Sequence, residues 1–165
     1  MILHAGLVAL RLGGQWRGAL IEGPSGAGKS DLALRALEAG FRLVADDRTL
    51  VWRSGDRAYG RAPDALQGLI EARGQGILSE SALGLAQIVL VARCVSDSSR
   101  IDRMPDLTMQ SVAGQCVPGL EIDPFEASAP AKLRRAMEHL GAAGQQAYLA
   151  ASLCGRGRAG TGDTH

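Results

Sequence analysis

Apolar residues fall along this chain in short runs broken by glycine-bearing turns. Leu7-Val8-Ala9-Leu10 reads as a strand, Gly13-Gly14 as a turn and Arg17 to Glu22 as a second strand, so the pair is expected to form a hairpin. The buried-strand pattern Ala19-Leu20-Ile21 runs into a glycine-rich loop, after which Leu34, Leu37 and Phe41 recur at helical spacing. Gly40 stands where a helix ends, which predicts a helix from Ser30 to Ala39. Phe41 to Ala45 and Thr49 to Arg53 read as short strands flanking Asp46-Asp47, and Ser54 to Arg57 as a turn. Ala62-Pro63-Asp64 starts a short helical segment, Ile88 to Val95 is the clearest buried strand, and Cys116 to Ile122 is a later one. Ser128-Ala129-Pro130 places a cap and a proline at a helix start, with Lys132 to Leu140 continuing it. Tyr148 to Leu153 is expected to add a final turn.

At 165 residues and 46% hydrophobic content the chain has length for one domain with a real core. The folded region is expected over 1–154. From Gly155 onward the composition offers nothing to bury, which predicts a disordered tail over 155–165. A net charge of +1 gives no field that would draw the chain to nucleic acid or an anionic membrane. The longest apolar run, Leu85 to Ala92, is too short to span a bilayer, and no targeting segment opens the chain. Cys94, Cys116 and Cys154 are odd in number and lack C-x-x-C spacing, which argues against a disulfide framework and a zinc site and suits a reducing cytoplasm.

Gly23-Pro24-Ser25-Gly26-Ala27-Gly28-Lys29-Ser30 changes the picture most, because it matches the phosphate-cradling pattern G-x-x-x-x-G-K-[ST] between a predicted strand and a predicted helix. The glycines allow successive backbone N–H groups to turn toward an anion. Lys29 adds a compact charge toward β- and γ-phosphates, Ser30 a hydroxyl for Mg²⁺, and the helix N-terminus its positive end. Lys29 and Lys132 are the only lysines among 18 basic residues, so one of just two stands where a triphosphate needs it.

Asp46 and Asp47 follow an apolar strand beyond that helix. Like charges side by side are easiest to keep near a cation, a base or solvent, so one carboxylate is a candidate for Mg²⁺ and the other for taking a proton from an attacking hydroxyl. A solvated turn is the plainer alternative. Glu71 and Arg73 suit metal binding and phosphate clamping, with Gly74 and Gly76 allowing close backbone approach, although an ordinary surface ion pair has the same look. His4, near a strand start, is as readily a structural residue as a catalytic one.

Taken together, the loop, Leu43-Val44-Ala45-Asp46-Asp47-Arg48, Ile70-Glu71-Ala72-Arg73-Gly74-Gln75-Gly76-Ile77 and the upstream His4 resemble the HPr kinase/phosphorylase family. The segment Asp123 to Lys132 is similar to the short alphaproteobacterial form, which lacks the N-terminal domain of full-length members. The resemblance runs from His4 to about Leu140. It implies an α/β fold of the HPr kinase and phosphoenolpyruvate carboxykinase type, a phosphate-loop core in which a mixed sheet is flanked by helices.

By the same resemblance the chain phosphorylates a serine of HPr, the small phosphocarrier of the sugar phosphotransferase system, using ATP and Mg²⁺. It would also reverse this with inorganic phosphate, pyrophosphate being a further possible phosphate species. Residues Gly23, Pro24, Ser25, Gly26, Ala27, Gly28, Lys29 and Ser30 would bind the nucleotide, with Ser30, Glu71 and Asp47 at the metal. Asp46 would be the general base, assisted by Asp47 and His4, and Arg73 would support the phosphoryl group or Glu71. A cytoplasmic hexamer is the implied assembly. A nucleotide-binding regulatory module without turnover, or a kinase of a small-molecule hydroxyl, also fits the residues.

Overall fold

The computed structural model describes residues 1–141. Tyr148 to Leu153 and the tail over 155–165 lie outside them. A nine-stranded mixed sheet, a separate two-stranded hairpin and two α-helices make up the described fold.

The first hairpin forms as expected. Ala5–Leu12 (β2) and Gln15–Glu22 (β3) pair antiparallel across Gly13-Gly14, both at positive φ, as a two-residue turn between twisted strands requires. A short strand Ile2–Leu3 (β1) precedes them. The expected helix occupies Lys29–Glu38 (α1) and stops at Gly40, whose φ of 94° is the left-handed value a helix stop needs. Arg42–Ala45 (β4), Thr49–Ser54 (β5) and Arg57–Arg61 (β6) follow, then a single 3₁₀ turn over Asp64–Leu66. Leu69–Ala72 (β7) and Gly76–Ser79 (β8) form the separate hairpin. Ala86–Cys94 (β9), Thr108–Val112 (β10), Gln115–Ile122 (β11) and the helix Ala129–His139 (α2) complete the described chain. Ser128 sits at the start of α2, but its side chain makes no capping bond; Pro130, which has no N–H to leave unpaired, occupies the first turn.

β9 is the hub. It runs parallel to β3 along one edge, while on the other its first half pairs antiparallel with β6 and its second half parallel with β11. Both edges of β9 are thus paired, and its two faces pack into separate cores, which is why its sequence is almost unbroken in apolar residues. Between Gly18 and Ala19 the pairing skips a residue, from Ile88 to Leu90, leaving Val89 as a bulge. The bulge resets the alternation, so Leu90 and Ala92 join the core beneath the helices while Ile88 and Val91 join the opposite core.

Helices α1 and α2 both contribute to the first core, through Leu32, Ala33, Ala36, Leu133 and Met137. The second core is built from strand residues and loop-borne Ala62, because the sheet curls over itself: Thr49 at the start of β5 donates its hydroxyl to the Ala5 carbonyl of β2. Leu7 fills that fold between two glycines. A Cβ on Gly60 would lie 2.6 Å from one Leu7 methyl and a Cβ on Gly18 would lie 2.9 Å from the other. Cys94 is a free, buried thiol. No helix among the described residues is long and apolar enough to cross a membrane.

Candidate active site

The site gathers at the C-terminal ends of β3 and β4. β3 delivers the glycine-rich loop to the start of α1, where Gly28 (φ 95°) precedes the first helical residue. Lys29 is only 6% exposed, and its Nζ donates to the carbonyls of Gly23 at 2.9 Å and Pro24 at 3.0 Å. The loop thus wraps its own ammonium group, which also lines the cavity beside it. That cavity, about 310 Å³, is lined by Ser25, Gly26, Gly28, Lys29, Ser30 and Asp31 together with Asp47, Glu71, Arg73 and Phe125.

Asp46 and Asp47 part company. Asp46 is 7% exposed and engages both carboxylate oxygens, accepting from the Ser30 hydroxyl at 2.8 Å and from the Glu71 backbone N–H at 2.9 Å. Asp47 adopts a left-handed φ of 64°, a conformation aspartate tolerates better than most residues, inside a tight turn closed by Arg48 N–H on the Asp46 carbonyl. Its carboxylate, about half exposed, meets His4 Nε2 at 2.6 Å. An ionised carboxylate only accepts, so Nε2 carries the proton. The adjacent charges are accommodated by opposite orientation, one toward the serine of the loop and one toward the histidine and the cavity.

These positions bear directly on the expected roles. Asp46, which the resemblance makes the base, lies against Ser30. Asp47, expected at the metal, lines the cavity against His4. Glu71 and Arg73 arrive from β7 and the turn after it, as the sequence suggests, and a Cβ added at Gly74 or Gly76 would meet no other protein atom within 4 Å. Their φ values of 86° and 96° turn the hairpin, which by itself favours glycine at both positions. Among the described residues no group of three or more His, Cys, Asp or Glu is drawn together as a metal cage. One or two hard oxygens completed by phosphate oxygens is the usual arrangement for Mg²⁺, and Ser30 Oγ with the adjacent Asp46 carboxylate fits it.

Two lining residues escaped the sequence reading. Asp31 pairs with Arg35 one turn on, at 2.9 Å. Phe125, in an otherwise unremarkable loop, stands 61% exposed at the cavity mouth.

Behind the loop, a Cβ on Gly23 would lie 3.1 Å from Cys94 Cβ. Burial pushes the Cys94 thiol up to about 11 from its ordinary 9.0, with the Lys29 charge opposing and the Asp123 charge adding to the rise. The unfolded thiol loses its proton first, so between pH 9 and about 11 the folded state holds more protons and stability falls as pH rises. Urea unfolding at about pH 8.5 and about pH 10.5 is expected to show a steeper loss in the wild type than in Cys94→Ala.

Fold and site together define an α/β domain in which a glycine-rich loop opens a helix beside paired carboxylates at the sheet's edge. The family model described as HPr Serine kinase C-terminal domain matches residues 3–112, and the chain belongs to that family. An HPr kinase/phosphorylase of Enterococcus faecalis is 36% identical over 116 residues, covering 64% of this chain and 37% of that protein. One of Clostridium perfringens is 44% identical over 73 residues, covering 44% of this chain and 24% of that protein. The chain therefore spans only about a quarter to just over a third of the length of these curated relatives. Among solved structures, that of the Hpr(Ser) kinase/phosphatase from Coxiella burnetii superposes with a TM-score of 0.69 over 82% of this chain and 92% of that one, at 21% identity. The mixed sheet with flanking helices expected from the sequence is that fold, with both helices contributing to one core.

Proposed function

We propose that this chain is an ATP- and Mg²⁺-dependent protein-serine kinase acting on the phosphocarrier HPr, in the cytoplasm and as a homo-oligomer, hexameric by resemblance. The observation that carries the reading is the opposite orientation of the carboxylate pair: Asp46 accepts from the hydroxyl of the loop serine, while Asp47, which lines the cavity, contacts His4. A phosphate-handling end and a proton-accepting end then face one space.

In this reading Lys29 and the loop amides hold the β- and γ-phosphates, and the ammonium exchanges the Gly23 and Pro24 carbonyls for phosphate oxygens. Ser30 and Asp46 would hold Mg²⁺, with Glu71, whose backbone N–H donates to Asp46, beside them at the cavity. When bound there, the ion would supply charge neutralisation to the phosphates. Asp47, oriented by His4, accepts the proton of the seryl hydroxyl as its oxygen bonds to the γ-phosphorus and the bond to the β-phosphate oxygen breaks. Arg73 compensates charge on the transferred group. The base role thus falls to Asp47 and the metal role to Asp46, the reverse of the division the resemblance suggests. In dephosphorylation, an oxygen of inorganic phosphate bonds to the seryl-phosphate phosphorus as the bond to the seryl oxygen breaks, giving pyrophosphate, and the protonated Asp47 returns its proton to serine.

Incubation with γ-labelled ATP, Mg²⁺ and HPr is expected to place label on a serine of HPr. Label on neither protein would favour a regulatory module or a kinase of a small hydroxyl compound and overturn the assignment.

A further inference from the structure

The machinery described so far handles phosphates and a hydroxyl, and leaves the rest of a nucleotide without a partner. Among the described residues Phe125 is the one aromatic side chain lining the cavity, and no step of the chemistry uses it. It is held firmly for so exposed a ring. Its backbone N–H donates to Asp123 Oδ1 at 3.0 Å, which closes a local turn. Arg35 of α1 donates to the carbonyls on either side, those of Pro124 and Glu126. Glu126 in turn pairs with Lys132 of α2. One edge of the ring rests on the loop: a Cβ on Gly28 would lie 2.8 Å from Phe125 Cζ and 3.1 Å from its Cε1, so any residue but glycine there would push the ring away. The ring is nonetheless 61% exposed. An exposed aromatic ring costs free energy in water, and this one is fixed from both helices at the mouth of a phosphate-sized cavity.

We infer that Phe125 is the platform on which the base of the bound nucleotide stacks, so that the loop Asp123 to Glu126 supplies the nucleoside half of the site. This rests on the nucleotide-binding reading proposed above. Stacking addresses the face of a base and not its edges, so the platform favours large purine rings over pyrimidines and discriminates little between adenine and guanine. Arg35 serves as its positioning residue, since both of its loop contacts are to backbone carbonyls that flank the ring.

The test compares two ligands that share phosphates and differ in the base. Equilibrium binding of ATP and of inorganic tripolyphosphate, each with Mg²⁺, is measured for the wild type, Phe125→Ala and Phe125→Trp. Loss of one stacked base is worth about 5- to 150-fold in affinity. Phe125→Ala is expected to weaken ATP by that factor while tripolyphosphate stays within about twofold, and Phe125→Trp to bind ATP at least as well as the wild type. Equal weakening of both ligands would show that the ring only props the loop, and unchanged ATP affinity would show that no base stacks there. A rise in the KM for HPr alone would assign the ring to the protein substrate. Each of these overturns the inference while leaving the kinase reading standing. A wild type that binds neither ligand overturns that reading and this inference with it.

Discussion

Asp47→Asn is expected to lower phosphoryl transfer to HPr by about 10²- to 10⁴-fold, the usual contribution of a positioned base, while ATP affinity stays within about twofold. The carboxamide has the shape of the carboxylate and its oxygen still accepts from His4 Nε2, so the turn at Asp47 keeps its anchor and only the proton-accepting capacity is lost. Asp46→Asn is expected to differ in kind. That side chain accepts at both oxygens, and an amide presents an NH₂ to one of two donors, the Ser30 hydroxyl or the Glu71 N–H. The consequence falls on Mg²⁺ affinity and on the placement of Glu71, so elevated Mg²⁺ should recover part of the activity of Asp46→Asn and none of that of Asp47→Asn. Single-turnover transfer of label, measured beside nucleotide binding at two Mg²⁺ concentrations, separates the two. Full transfer by Asp47→Asn would return the base role to Asp46.

The largest effect on stability is expected at Leu90→Ala. Leu90 is fully buried, pairs opposite Ala19 of β3 and belongs to the core that both helices cover. Removing its isobutyl group forfeits transfer free energy and opens a cavity, a loss of about 3 kcal/mol, within a range of roughly 2–5 kcal/mol. For a domain of this size that lowers Tm by about 10 °C. Because Val89 is the bulge residue and nearly as apolar, a slip of the strand by one position is the route by which the sheet could relax. Thermal unfolding of Leu90→Ala and Val89→Ala checks this: the second should cost clearly less, since Val89 is the 8% exposed member of the pair and pairs with no β3 residue.

The sequence made legible those elements whose burial is local in origin. Ala19-Leu20-Ile21 and Ile88 to Val95 are strands buried on both faces, and continuous apolar runs say so directly. Gly13-Gly14 and Gly40 carry turn chemistry that residue identity alone reveals. β6 was hidden because its buried positions are Ala58 and Gly60, too small to register as an apolar stripe. β10, Thr-Met-Gln-Ser-Val, buries fully only Val112. The branching at β9 depends on pairings between segments far apart in the chain, and no local pattern encodes it. In the site, the loop announced itself through spacing. The opposite orientation of Asp46 and Asp47 did not, since it goes with a positive φ at one residue, and Phe125 lacked any pattern to separate it from an ordinary core aromatic.

The pairing of β3 with β9 sets the order in which the site comes into being. Each residue given a role in phosphate or proton handling, from His4 to Arg73, precedes Ala86, where β9 begins. During synthesis the complete set of reactive side chains therefore leaves the ribosome before the strand that spaces them. Until β9 arrives, β3 has one edge open and the glycine-rich loop hangs from an incomplete sheet. Closing that long-range parallel contact is slow, and an unpaired edge is a hazard while it lasts. Nucleotide binding is thus expected to be a property of the finished sheet, gained in one late step and not assembled residue by residue.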